Sequence, residues 1–154
     1  MRAEPRRLSS LIGHRLPGTG KRMWYDQDFL AQCESLKQNG RVSNFRPGAR
    51  IARGFADVGY EEFVVLPNGK MMSLFSGAQS ELNEEHRGFF FEVPTEAELL
   101  AELETRGELI ESVKFADQRT WSVKTTNLSA ESRGLHRTLL LCLLASYAAN
   151  TGSQ

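Results

Sequence analysis

Cysteine is scarce in this sequence, and long hydrophobic runs are absent. The two cysteines, Cys33 and Cys142, lie far apart, each among apolar residues with helix-like spacing. We interpret them as buried free thiols, typical of a reducing compartment, and one disulfide between them stays open as an alternative. The longest apolar stretch, residues 139–149, is far shorter than the roughly 20 residues that a transmembrane helix requires. No apolar segment of the kind found in secretory signals follows Arg6 and Arg7, so we expect a cytoplasmic protein with no membrane contact.

Residue patterns that would indicate a metal or catalytic site are also missing. The three histidines, His14, His86 and His136, have no second histidine or cysteine at metal-ligand spacing, so we predict no metal and no other cofactor. The densest polar cluster is Glu84-Glu85-His86. In an extended chain, Glu84 and His86 would share a face, which is a geometry that an acid–base pair can use. We predict a protein without enzymatic activity and keep an enzyme using this cluster as an alternative.

Positive and negative charges balance over the whole chain but not along it. Residues 1–55 hold 11 Lys and Arg against 4 Asp and Glu, whereas residues 56–154 hold 8 against 15. Residues 1–22, rich in arginine and glycine, are predicted to form a basic, flexible arm. Residues 81–112 hold ten glutamates, and the sequence leaves open whether this acidic surface has a function. The opposed charges fit an anionic partner for the basic part, contact between two copies, or simply two solvated faces.

The strongest positive signal for function is an arginine-rich stretch that follows the first predicted helix. Guanidinium groups suit phosphate contacts, and interleaved aromatic rings suit base stacking. We expect a small intracellular binding or accessory protein, of the inhibitor, chaperone or adaptor type, that contacts a protein partner through surface charge. Nucleic-acid binding by the same arginines is an alternative. The predicted partner-binding residues are Arg41, Arg46, Arg50, Arg53, Phe45 and Phe55.

Residues 60–76 have the composition of a β-hairpin. Two apolar runs flank a Pro-Asn-Gly sequence at residues 67–69, which suits a three-residue hairpin loop ending in a bulge. This loop sets a register in which Val65 faces Met71. Because both faces of the hairpin are apolar, we expect it to lie inside a sheet and not at its edge.

The other elements are predicted from periodicity and capping residues. Thr95 and Glu98 form a capping box at the start of the clearest helix. The predicted elements are a helix over 25–38, a strand or turn over 50–58, a polar loop over 77–85, a strand over 88–93, a helix over 95–106, strands over 109–115 and 119–126, and a helix that is capped by Ser129 and ends near residue 149.

Hairpins without βαβ alternation indicate antiparallel pairing, so the predicted fold class is α+β. We expect one antiparallel sheet of five or six strands with three helices packed on it. The predicted division is the arm at 1–22, a single domain at 23–150 and a tail at 151–154. The last helix is apolar nearly all round over residues 139–149, which predicts either burial or a homodimer interface, and we favour the dimer.

Overall fold

The computed structural model describes residues 26–117 and 119–152, and the predicted arm at 1–22 lies outside this part of the chain. The α+β class is confirmed. Within the described residues, the strands form two antiparallel sheets, of five and three strands, and not the single sheet that was predicted. The helices are α1 (Gln27–Gln38), α2 (Glu84–Arg87), α3 (Glu96–Thr105) and α4 (Leu135–Thr151). The strands are β1 (Arg50–Phe55), β2 (Gly59–Val65), β3 (Lys70–Ser73), β4 (Gln79–Glu81), β5 (Phe91–Glu92), β6 (Ile110–Ala116), β7 (Thr120–Thr125) and β8 (Ser129–Arg133).

The chain divides into two compact units, which are described separately. Among the described residues, the first comprises 26–30 and 45–91, and the second comprises 31–44, 92–117 and 119–152. Helix α1 begins in the first unit and ends in the second. Its N-terminus is capped by Asp26, whose carboxylate accepts a hydrogen bond of 2.7 Å from the backbone N–H of Phe29.

The first unit is built on the five-stranded sheet, whose order is β4-β3-β2-β1-β5. The predicted hairpin forms β2 and β3 with the predicted register, in which Val65 faces Met71. Strands β4 and β1 flank the hairpin, so it lies inside the sheet and not at its edge, as predicted. Its more deeply buried face contributes to a core cluster that comprises Ile51, Phe63, Val65, Met71, Leu82 and Phe90.

Two predictions in the first unit are wrong. Residues 77–85 are not a loop throughout, because β4 and the start of α2 lie within them. Residues 88–93 are not one strand, because only Phe91 and Glu92 have strand geometry. The cause lies upstream: the side chain of Asn83 caps α2 by accepting a hydrogen bond of 3.0 Å from the backbone N–H of His86. This short helix continues to Arg87, so the residues directly after it form a turn and not a strand.

The second unit packs helices α3 and α4 together and places α4 on strands β7 and β8. The predicted capping box of α3 is present, with Thr95 and Glu98 exchanging hydrogen bonds. Leu99 and Leu103 are buried, whereas Leu100 of the same helix is 41% exposed. The predicted second hairpin forms β6 and β7.

Helix α4 does not begin at Ser129. Residues Ser129–Arg133 form strand β8, which pairs with β7, and the helix is preceded by Gly134 with a φ of +91°. A serine that could cap a helix here pairs in the sheet, where Ser129 lies opposite Lys124 of β7. The helix buries Leu139, Leu140, Cys142 and Leu143 within its own unit. No helix in the described part of the chain is long and apolar enough to cross a membrane.

Candidate functional site: an arginine held between phenylalanine rings

Strand β1 carries three of the predicted binding residues and separates them between its two faces. Side chains alternate along a strand, so Arg53 and Phe55 share the face of Ile51, which belongs to the core cluster, and Arg50 lies on the opposite face. Across the strand pair, Arg53 faces Glu61 and Phe55 faces Gly59. The core face therefore continues beyond Ile51 into a guanidinium and an aromatic ring.

The guanidinium of Arg53 lies between aromatic rings. Its central carbon is 4.8 Å from the ring centroid of Phe55 and 4.9 Å from that of Phe89, with Phe90 at 5.9 Å. These distances are within the roughly 6 Å range of cation–π attraction. Within the described residues, the side chain of Arg53 makes no hydrogen bond or ion pair. We call Arg53, Phe55 and Phe89 the Arg53 stack.

Phe89 contacts Arg53 at the surface because Phe90, the next residue, is buried in the core. Phe90 is 1% exposed and packs edge-on against Phe63, with ring centroids 5.4 Å apart. The turn after α2 is closed by the N–H of Phe89, which donates to the carbonyl of His86 over 3.0 Å. With Phe90 anchored in the core, Phe89 lies at the surface and is 58% exposed.

A second arginine–phenylalanine pair lies in the same unit. The guanidinium carbon of Arg87 is 5.6 Å from the ring centroid of Phe45. Phe45 has a φ of +51°, which a bulky residue rarely adopts, and its ring packs against the core cluster. Core contact holds this unfavourable backbone conformation in place. Arg87 also lies 3.7 Å from the carboxylate of Glu84, so its charge is partly balanced.

Arg41, a predicted binding residue, has an internal structural role instead. In the second unit, its Nε donates to Glu102 over 2.9 Å, and its terminal nitrogen lies 3.6 Å from Glu92. Only 11% of its side chain is exposed. Arg46 lies at an exposed position just before the turn at residues 47–48 that leads into β1. Of the predicted residues on β1, Arg53 and Phe55 therefore come together on one face, and Arg50 lies on the other.

The predicted Glu84-Glu85-His86 cluster does not have the geometry expected of an acid–base pair. These residues form helix α2, where side chains two positions apart point in different directions. All three are exposed, and the Glu84 side chain is 93% exposed. Within the part of the chain that the structure describes, no group of three or more His, Cys, Asp or Glu side chains is placed to hold a metal ion.

Sequence reasoning missed Phe89 and Arg87 as members of the arginine–phenylalanine contacts. Both lie more than 30 residues from Arg53 in sequence, so local pattern gave no link between them. A signal for α2 was present: Asn83 is a good N-cap residue, and Gly88 directly follows the four helical residues. Reading that signal would have separated Phe89 from the strand.

The ionisable groups with shifted pKa values lie in the second unit. Hydrogen bonds from the side chains of Asn127 and Thr125 lower the pKa of Glu108, against the opposing effect of its burial. Burial raises the pKa of the Cys142 thiol to about 11, and the nearby charge of Glu108 adds to the effect. Burial, followed by a hydrogen bond to Glu102, raises the pKa of Tyr147. These groups stabilise the fold and lie outside the Arg53 stack.

Comparison with known proteins gives no functional lead: no family model, no curated protein and no solved structure matches this chain.

Proposed function

We propose that this chain is a non-enzymatic cytoplasmic binding protein, which recognises an acidic segment of a protein partner through the Arg53 stack. The observation that carries the proposal is a guanidinium that is held between two rings and makes no hydrogen bond or ion pair with the described residues. The cytoplasmic setting is supported by Cys33 and Cys142, which are both buried and are not joined in a disulfide.

The chemistry of the stack favours a carboxylate next to an apolar side chain. The guanidinium of Arg53, with its central carbon 4.8 and 4.9 Å from the ring centroids of Phe55 and Phe89, has no hydrogen-bond acceptor among the described residues for the N–H donors along its edge. That edge matches a carboxylate in a bidentate arrangement. The exposed ring of Phe89 offers an apolar contact beside it, and aromatic residues with arginine are the residues most enriched at binding hot spots.

The test uses synthetic peptides in which Asp or Glu alternates with Leu or Phe, with matched peptides in which Asn and Gln replace the acids. Binding of each labelled peptide is followed by fluorescence anisotropy. We expect the acidic set to bind and the amide set to bind at least tenfold more weakly, because the charge-assisted hydrogen bonds are lost. Equal binding of both sets contradicts the proposal.

Phe89→Ala and Phe75→Ala form a matched pair of variants. Both side chains are exposed phenylalanines of the first unit, at 58% and 49%, but only Phe89 contacts Arg53. We expect Phe89→Ala to abolish most of the acidic-peptide binding and Phe75→Ala to leave it unchanged. An equal loss in both variants would mean that general surface hydrophobicity, and not the stack, causes the binding.

Single-stranded nucleic acid is a second candidate, favoured by the same exposed Phe89 ring beside a guanidinium. Bases stack on aromatic rings, and phosphates pair with arginine. Binding of this kind weakens steeply with salt, since counterions are released on association. Anisotropy is measured with labelled oligonucleotides at low and high salt and with the labelled peptides. The probe whose binding is lost in Phe89→Ala identifies which of the two candidate functions uses the stack.

A further inference from the structure

Strand β6 forms one edge of the three-stranded sheet in the second unit. The sheet order is β6-β7-β8, and within the described residues no strand pairs with the outer edge of β6. The strand has seven residues and so spans about 23 Å at roughly 3.3 Å per residue. A long open edge exposes backbone donors and acceptors that another strand can pair with.

One face of this edge is apolar. Val113 faces Val123 across the strand pair, and Phe115 faces Trp121, with ring centroids 5.0 Å apart. Val123 is fully buried on the sheet that α4 packs against, yet Val113 is 44% exposed and Phe115 is 62% exposed. The apolar face therefore extends past the helix-covered part of the sheet and ends uncovered at the edge.

The opposite face carries charges of both signs. A register irregularity lies between Ile110 and Ser112, so Glu111 is the extra residue of a bulge. Its carboxylate lies 3.7 Å from the ammonium of Lys124, which faces Ser112 across the strands. Glu111 is thus directed to the face that also carries Lys114, two residues beyond Ser112.

We propose that a second copy of this chain pairs antiparallel with β6, about a two-fold axis at Val113. In this register Val113 meets Val113 of the other copy, and Ser112 meets Lys114. Phe115 lies beside the bulge, next to Ile110 of the other copy, on the apolar face. Lys114 and Glu111 of the other copy are diagonal neighbours on the charged face, within reach of long side chains.

The edge is self-complementary, which is what an isologous two-fold interface requires. Apolar groups meet apolar groups on one face, and on the other each Lys114 has Glu111 of the other copy as a diagonal neighbour. Pairing of two edge strands alone buries less surface than a standard stable interface, so we expect a dimer that dissociates on dilution. This interface shares no residue with the Arg53 stack.

The oligomeric state is measured by sedimentation velocity from low micromolar to millimolar chain concentration. We expect dimer at the upper end and monomer at the lower end. Lys114→Glu places a second carboxylate diagonally beside Glu111 of the other copy and should shift the midpoint of dimerisation at least tenfold to higher concentration. The double variant Glu111→Lys, Lys114→Glu restores opposite charges across the axis and should recover much of the dimer.

Two further variants keep the result interpretable. Val113→Lys puts two like charges at the axis and should leave only monomer, and its folding is checked by circular dichroism. Phe89→Glu changes the other surface and should not alter dimerisation. Monomer at every concentration overturns the proposal, and so does a dimer that Lys114→Glu and Val113→Lys leave unchanged, because it would form through another surface.

Discussion

The guanidinium of Arg53 lies 4.9 Å from the ring of Phe89, a residue of a turn that sequence pattern predicted as a strand. The contact depends on the burial of the next residue, because Phe90 packs in the core and leaves Phe89 outside. A buried ring thus positions an exposed one. The side chain of Arg53 loses rotamer freedom in the folded chain, so less entropy remains to be lost on binding.

Replacing Arg53 by lysine should lower acidic-peptide affinity about tenfold, which corresponds to about 1.4 kcal/mol. Lysine keeps the charge but loses the planar fork and the stacking between two rings. Arg46→Lys is the matched control, since Arg46 is exposed and outside the stack, and its affinity should not change. Anisotropy titrations at one salt concentration measure both. An affinity retained in Arg53→Lys would show that charge alone is enough.

The parts of the fold that depend on local interactions could be predicted from the sequence. The Pro-Asn-Gly turn set the register of Val65 with Met71, and Thr95 with Glu98 marked the start of α3. The errors fall where two local interactions compete. Asn83 caps a short helix in place of the start of a predicted strand, and Ser129, which satisfies the rule for a helix cap, pairs with Lys124 of the adjacent strand β7. Sequence pattern alone does not tell which of two such interactions forms.

The candidate site shows the same limit. Spacing in the sequence placed Arg53 and Phe55 on one strand, and they do lie on one face. Arg41, which has the same chemistry in the same arginine-rich stretch, is instead paired with Glu92 and Glu102. Composition identifies arginines but does not tell which of them pair with carboxylates inside the fold.

Arg41→Ala should destabilise the fold by about 2 kcal/mol, because it leaves two poorly exposed carboxylates without their cation. Its effect on peptide binding should be small, since Arg41 is not part of the Arg53 stack. Urea denaturation followed by circular dichroism measures the change. Arg133→Ala, at an exposed arginine of strand β8, is the control, and its change in the free energy of unfolding should lie near zero. An unchanged stability in Arg41→Ala would contradict the structural role.

Glu108→Gln should make stability less dependent on pH in the acidic range. Because hydrogen bonds lower the folded-state pKa of Glu108, its carboxylate stabilises the fold above the unfolded-state pKa of about 4.3. That contribution is lost as the pH falls through this value towards the lower folded-state pKa. In thermal melts between neutral pH and pH about 3, the Tm of the unaltered protein should therefore exceed that of Glu108→Gln by a gap that narrows on acidification. A gap that is constant with pH would contradict this role.

Cys142 should not react with a thiol reagent in the folded protein at mildly alkaline pH. With its pKa raised to about 11, only about one thiol in a thousand is ionised at pH 8, and the side chain is fully buried. Alkylation followed by peptide mass spectrometry measures the labelled fraction of Cys142. The same reaction in denaturant should label both cysteines, which serves as the positive control. Rapid labelling of native Cys142 would show that this part of the helix opens.

The most direct test of the Arg53 stack is an NMR titration that follows the Nε–Hε group of Arg53 and the ring of Phe89. On addition of an acidic peptide, we expect both signals to shift together with one binding curve, while the ring of Phe75 stays in place. The matched amide peptide should leave all three unchanged. If the acidic peptide binds and the shifts lie away from Arg53 and Phe89, or if it causes no shift at all, the stack is not the binding site.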